Sequence, residues 1–121
     1  MIVRIPIRTW SETNMRGLHW GAKARRVKQQ RGTAGLVVAA EMAIRGKSIK
    51  PPCTVTLVRL GPTQGLDSDN LLASMKAVRD GVADAFALDD ADPALTWRYE
   101  QRRAKAWGVE IRIEAAGEVA A

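Results

Sequence analysis

Apolar positions along the chain change period several times, and each change predicts a boundary. Residues 2–8, IVRIPIR, alternate apolar positions with basic ones or proline. A period of two marks a half-buried strand, and Pro6, with no N–H to give a ladder, predicts an edge position for it. A polar, turn-rich stretch follows, SETNMRGLHWG over residues 11–21. From about His19 to Arg45 the chain is rich in Ala, Lys, Arg, Gln and Glu, which predicts a helix. Gly32 and Gly35 predict a kink or break in its middle. The basic linker from Lys47 ends at Pro51-Pro52, which stops any helix.

The second half repeats the alternation of types. CTVTLVRLG, residues 53–61, has the β-branched content of a strand, and Gly61, Pro62 and Gly65 mark a turn after it. From Asp69 to about Phe86, Leu71, Met75, Val78 and Val82 recur at helical spacing and predict one buried stripe. Asp89 to Pro93 reads as a loop. Leu95–Arg103 and Trp107–Glu114 read as two strands, joined at Ala104–Ala106 by a turn short enough for a hairpin. Residues 115–121 lack a pattern and are expected to fray. The order β-α-β-α-β-β predicts one α/β (α+β) domain over residues 1–121. Its core is a small mixed sheet of about four strands, packed by two main helices.

Composition narrows the class. A chain of 121 residues, 46% hydrophobic and 26% charged, is expected to bury one modest core. Its apolar runs, such as Leu36 to Ala40, are too short to span a bilayer, and MIVRIPIRTW lacks the apolar core of a signal peptide. The expected location is therefore the cytoplasm, with no membrane partner. Cys53 is the only cysteine, which excludes an internal disulfide and a multi-cysteine zinc site.

Charge changes the picture more. The formal net charge is +6, yet seven of the thirteen acids fall within residues 67–92. That segment carries two bases and a local charge of −5, whereas the remainder holds seventeen bases against six acids, or +11. A basic body suggests a polyanionic partner such as nucleic acid. The acidic segment suggests either a solvated helix and loop or a site for a hard cation. At about 100° per residue, Lys76 and Asp80 fall within about 20° of Asp69, nearly opposite the apolar stripe. Asp69 could serve as a helix cap, and Lys76–Asp80 as an ordinary i, i+4 surface pair. Neither accounts for Asp67 or for the DDAD at 89–92. His19 is the only histidine, so paired-histidine metal motifs cannot form; no nucleophile elbow or phosphate-binding glycine loop is present either. Any catalysis would be carboxylate-and-metal chemistry.

The pattern D-x-D-N-L, then a helix bearing K-x-x-x-D-G, then a D-D pair, resembles the RusA family of Holliday junction resolvases, small magnesium-dependent endonucleases of phages and bacteria. The resemblance runs from about Ile2 to Glu114. It implies metal ligation by Asp67, Asp69 and Asp90, with Mg²⁺ as the cofactor and Mn²⁺ as a substitute. It also implies a catalytic role for Lys76 and a homodimer that nicks four-way DNA junctions in a bacterial or phage-infected cell. Asp80 would orient Lys76, and Asp89 would position the loop that holds Asp90. The opening S-x-x-N and R-x-x-H-W and the basic helix resemble phage-type members, with Asn14, Arg16, His19, Lys23, Arg25, Arg26 and Lys28 as matching DNA-contact positions. Alternatives are a non-catalytic nucleic-acid-binding module and a nuclease for other branched DNA. Two departures stand out. The lysine lies seven residues after the second aspartate rather than four, a shift of about 4.5 Å along a helix. TQGL, residues 63–66, replaces arginines that the best-known member carries before its D-x-D, so Arg98–Lys105 is a further candidate for binding.

Overall fold

The structure is a computed structural model and describes residues 1–10, 20–45, 49–63 and 65–116. Its elements are β1 (Ile2–Ile5), α1 (Trp20–Arg45), β2 (Cys53–Gly61), α2 (Ser68–Ser74), α3 (Lys76–Ala85), β3 (Leu95–Arg103) and β4 (Gly108–Ala115). The four strands form one mixed sheet in the order β1-β4-β2-β3, the small α+β fold expected. β1 is an edge strand, as Pro6 indicated.

The pairing of the last two strands differs from expectation. β3 and β4 do not form a hairpin, because β2 lies between them, parallel to β3 and antiparallel to β4. β3 ends at Arg103 beside Gly61, and the chain then passes over the end of β2, where Ala104 N donates to the Gly61 carbonyl at 2.9 Å. A Cβ on Gly61 would run into the Trp107 ring. Glycine at that position lets so short a connection cross a strand instead of turning back beside it. β2, the most buried strand, gains a neighbour on each side, and Val55, Leu57 and Val58 are all fully buried.

Alternation assigns the two faces of the sheet. Val55 and Leu57 of β2, Ile111 and Ile113 of β4 and Ile5 of β1 pack with Ala34 and Val38 of α1 and with Met75, Val78 and Val82. The other face is polar and is built around Glu110, which accepts from Arg4, Arg102 and Arg112. Burial would raise the Glu110 pKa, but these arginines outweigh it and hold the carboxyl below its usual range.

Two expectations about helices are corrected. Neither Gly32 nor Gly35 breaks α1, which runs unbroken through both. A Cβ on Gly35 would lie 2.9 Å from the Gly81 carbonyl oxygen, and one on Gly81 would collide with the Arg31 carbonyl. These glycines are where α1 and α3 approach backbone to backbone. Conversely, the helix expected from Asp69 to Phe86 is two helices, interrupted at Met75 (φ −100°, ψ 0°). Met75 N bonds back to Leu72 at 3.2 Å, and the buried Ser74 hydroxyl donates to the Leu71 carbonyl at 2.8 Å. A serine bonding back to its own helix bends it. The apolar stripe survives the break, since Leu71, Met75, Val78 and Val82 are all buried.

Candidate functional site

Lys76 opens α3 directly after the break, so the angular alignment with Asp69 on a single helix does not apply. Its ammonium instead donates to Asp80 Oδ1 at 2.9 Å and to Asp90 Oδ2 at 2.8 Å. These bonds hold the Lys76 pKa above its ordinary value. Asp90 comes from the loop after α3, and that loop is tightly specified. α3 ends in a Schellman turn: Leu88 N bonds to the Ala83 carbonyl at 3.1 Å and Ala87 N to Asp84 at 2.9 Å. Ala87 takes φ 56°, the left-handed conformation that glycine usually supplies there. Asp89 Oδ1 then accepts from Ala91 N at 2.9 Å, which helps shape the loop. Asp92 accepts from Ala94 N at 2.9 Å and is half-buried.

Sequence reasoning gave Arg79 no role, yet its guanidinium ties the site together. Its Nε donates to Asp90 Oδ2 at 2.8 Å, Nη2 to the Asp90 carbonyl at 3.2 Å and Nη1 to the Tyr99 hydroxyl at 2.9 Å. Trp97 Nε1 adds a bond to the same carbonyl at 2.8 Å. The Lys76 hydrogen bond, aided by the charges of Lys76 and Arg79, holds the Asp90 carboxyl below its usual range against partial burial. The only signal in the sequence was a second base, one helical turn beyond Lys76, inside an acidic segment.

Asp67 and Asp69 lie at the start of α2. Asp67, not Asp69, is the N-cap: its Oδ1 accepts from Asn70 N at 2.9 Å. Asp69 is exposed and makes no hydrogen bond or ion pair among the described residues. The loop leading to them is gripped by Gln101 of β3, whose Oε1 accepts from Leu66 N at 2.8 Å while its Nε2 donates to the Leu66 carbonyl. Among the described residues no three carboxylate, imidazole or thiolate side chains gather as a group able to hold a metal. Asp67, Asp69 and Asp90 supply oxygen donors of the type magnesium takes. As folded, though, they do not gather as a three-carboxylate site, and Asp90 is engaged by Lys76 and Arg79.

The basic helix divides. Lys23 joins Lys76 and Asp80 around a cavity of about 270 Å³ between α1 and α2–α3. Arg31 lines a cavity of about 400 Å³ that includes Lys76, Asp80 and Asp90, and it forms a two-pronged pair with Asp84 at 2.7 and 2.9 Å. That pair lowers the Asp84 pKa and joins α1 to α3 at the surface. Arg25 and Lys28 line a different groove with Leu36, and Arg26 is half-buried. Asn14, Arg16 and His19 lie outside the described residues.

Comparison with known proteins adds little. No family model matches the chain. An uncharacterized protein of Xylella fastidiosa (strain Temecula1) is 38% identical over 76 residues, covering 60% of this chain. The chain spans 49% of the length of that relative. No solved structure matches. No helix among the described residues is long and apolar enough to cross a membrane.

Proposed function

We propose that the chain is a RusA-like structure-selective endodeoxyribonuclease that hydrolyses phosphodiesters at four-way DNA junctions, acting as a homodimer in a bacterial or phage-infected cell. The observation that carries this reading is the meeting of Lys76 with Asp90, fourteen residues on, at 2.8 Å, beside its helical neighbour Asp80 at 2.9 Å. Two of these, Lys76 and Asp90, are positions the resemblance marks as essential. An ammonium held between two carboxylates is oriented and charged, and it would stabilise negative charge developing on a phosphate oxygen. Lys23 on the adjoining wall would hold the strand without reading its bases. Two symmetric nicks need two such sites, which a two-fold dimer supplies.

In such enzymes magnesium, or manganese in its place, neutralises phosphate charge and activates water. Asp67, Asp69 and Asp90 are the proposed ligands. They are not gathered in this arrangement.

A gel assay tests the reading with four-way, flap and linear duplex DNA, each with Mg²⁺, Mn²⁺ or EDTA. Metal-dependent paired nicks in the four-way junction are expected. Asp69→Asn should abolish them, leaving junction affinity within about twofold, since this exposed side chain makes no bond among the described residues. A second reading, a non-catalytic nucleic-acid-binding module, is favoured by the engagement of Asp90 with Lys76 and Arg79. It predicts junction binding with no nicking under any metal.

A further inference from the structure

A cavity of about 380 Å³ opens at the end of β2 and β3, lined by Arg59, Thr63, Gln101, Arg102 and Arg103 among others. None of these side chains belongs to the Lys76 cluster. Arg59 is only 7% exposed, yet no carboxylate pairs with it among the described residues. Its Nε donates to Thr9 Oγ1 at 3.1 Å and its Nη2 to the Thr9 carbonyl at 3.3 Å, while Nη1 bonds to nothing among the described residues. Burial, with the positive charge of Arg8, pushes the Arg59 pKa down. Arg8 lies 3.6 Å from the Trp10 ring centroid and 4.2 Å from that of Trp107; Arg59 is 5.0 Å from the latter. Indole faces can take up part of a cation's charge but cannot neutralise it. Arg103 has no ion pair among the described residues, and Arg102 shares Glu110 with two other arginines.

A buried guanidinium with neutral partners is costly unless an anion completes it. We infer that this cavity binds a phosphate group of a nucleic-acid strand, with Arg59 and Arg103 as its principal donors. The guanidinium groups of Arg59 and Arg103, with the Thr63 hydroxyl beside them, suit the several oxygens of a phosphate. A strand fits better than a free phosphate because the basic surface continues. Arg103 also lines an adjoining groove of about 460 Å³ with Pro62 and Lys105, room for the next phosphate along. Gly65 belongs to the cavity wall, and Gln101 both lines the cavity and clamps Leu66. A strand anchored here therefore lies against the loop that leads into Asp67. That the strand is DNA rests on the nuclease reading; the phosphate chemistry does not.

The test is fluorescence anisotropy of a labelled four-way junction in EDTA, repeated over a range of salt, for wild type, Arg103→Gln and Arg59→Gln. Each substitution is expected to weaken binding about tenfold and to lower the salt slope by about one. Unchanged affinity and slope in Arg103→Gln overturns the inference, since that side chain is exposed and its loss leaves the fold intact. Arg59→Lys guards against misfolding of the glutamine variant: it keeps the charge but not the fork, and should retain the slope while losing affinity. Inorganic phosphate is titrated against tryptophan fluorescence at constant ionic strength. Saturation by phosphate, with junction binding unchanged in the variants, would assign the cavity to free phosphate and overturn the strand. Absence of nicking in wild type removes the nuclease reading without touching these binding results.

Discussion

Asp90 shows how much surrounding chemistry one side chain can require. Its carboxylate meets Lys76 and Arg79, its carbonyl meets Arg79 and Trp97, and its approach depends on Ala87 adopting a left-handed backbone. An L-residue with a Cβ adopts that conformation at a cost of about 1 kcal/mol, and the Ala87 side chain is exposed. Ala87→Gly is therefore expected to stabilise the protein by about 0.5–1 kcal/mol. Urea unfolding should show a higher midpoint with an unchanged slope; a lower midpoint would mean that Ala87 makes contacts the backbone argument leaves out. Asp90 itself stood out in the sequence as half of an Asp-Asp pair. Arg79 did not, because its role depends on a loop folding back by eleven residues, and helical periodicity carries no information about that return.

At the scale of elements, glycine has opposite meanings at two positions in α1. Gly35 meets the backbone of α3 at Gly81, whereas nothing lies within 4 Å of a Cβ built at Gly32. Gly32→Ala is expected to stabilise the protein by about 0.5–1 kcal/mol through helix propensity alone. Gly81→Ala forces the two helices apart and should destabilise by about 1–3 kcal/mol. Thermal melts of the two variants should move in opposite directions, and a Gly81→Ala protein that melts like wild type would rule out the close crossing. A residue-by-residue propensity treats all these glycines as weak points. Only the packing of α1 against α3 distinguishes a contact glycine from an idle one. The break at Met75 is similar: Ser74 was visible, but its bond back to Leu71 follows from its burial.

Across the whole molecule, acidic groups bind the elements together and set its acid stability. Asp84 joins α3 to α1, Asp90 joins its loop to α3, and Glu110 holds three arginines on the open face of the sheet. All three carboxyls are held below their ordinary pKa values. The unfolded chain therefore takes up protons first as pH falls. The stabilisation is complete above the unfolded values, about 4 for these side chains, and is lost as pH drops through the lower folded ones. Melting temperature should fall steeply below about pH 4, and Asp90→Asn should flatten that limb. A melting temperature that held steady down to pH 2 would contradict these pairings. Local periodicity determined most of the elements in this chain: β2 and β3 span the residues their alternation marks, and the apolar stripe of α2–α3 is buried as its spacing requires. Tertiary structure alone decided which strand lies beside which, because pairing depends on what can cross over Gly61 rather than on the length of a turn. It also decided the surroundings of the charged groups. The sequence marked the D-x-D-N motif, Lys76 and the Asp-Asp pair, but only folding gave Asp90 to two cations and left Arg59 buried with no carboxylate beside it among the described residues. Charge is written locally in a sequence, whereas desolvation and partnership belong to the packed chain.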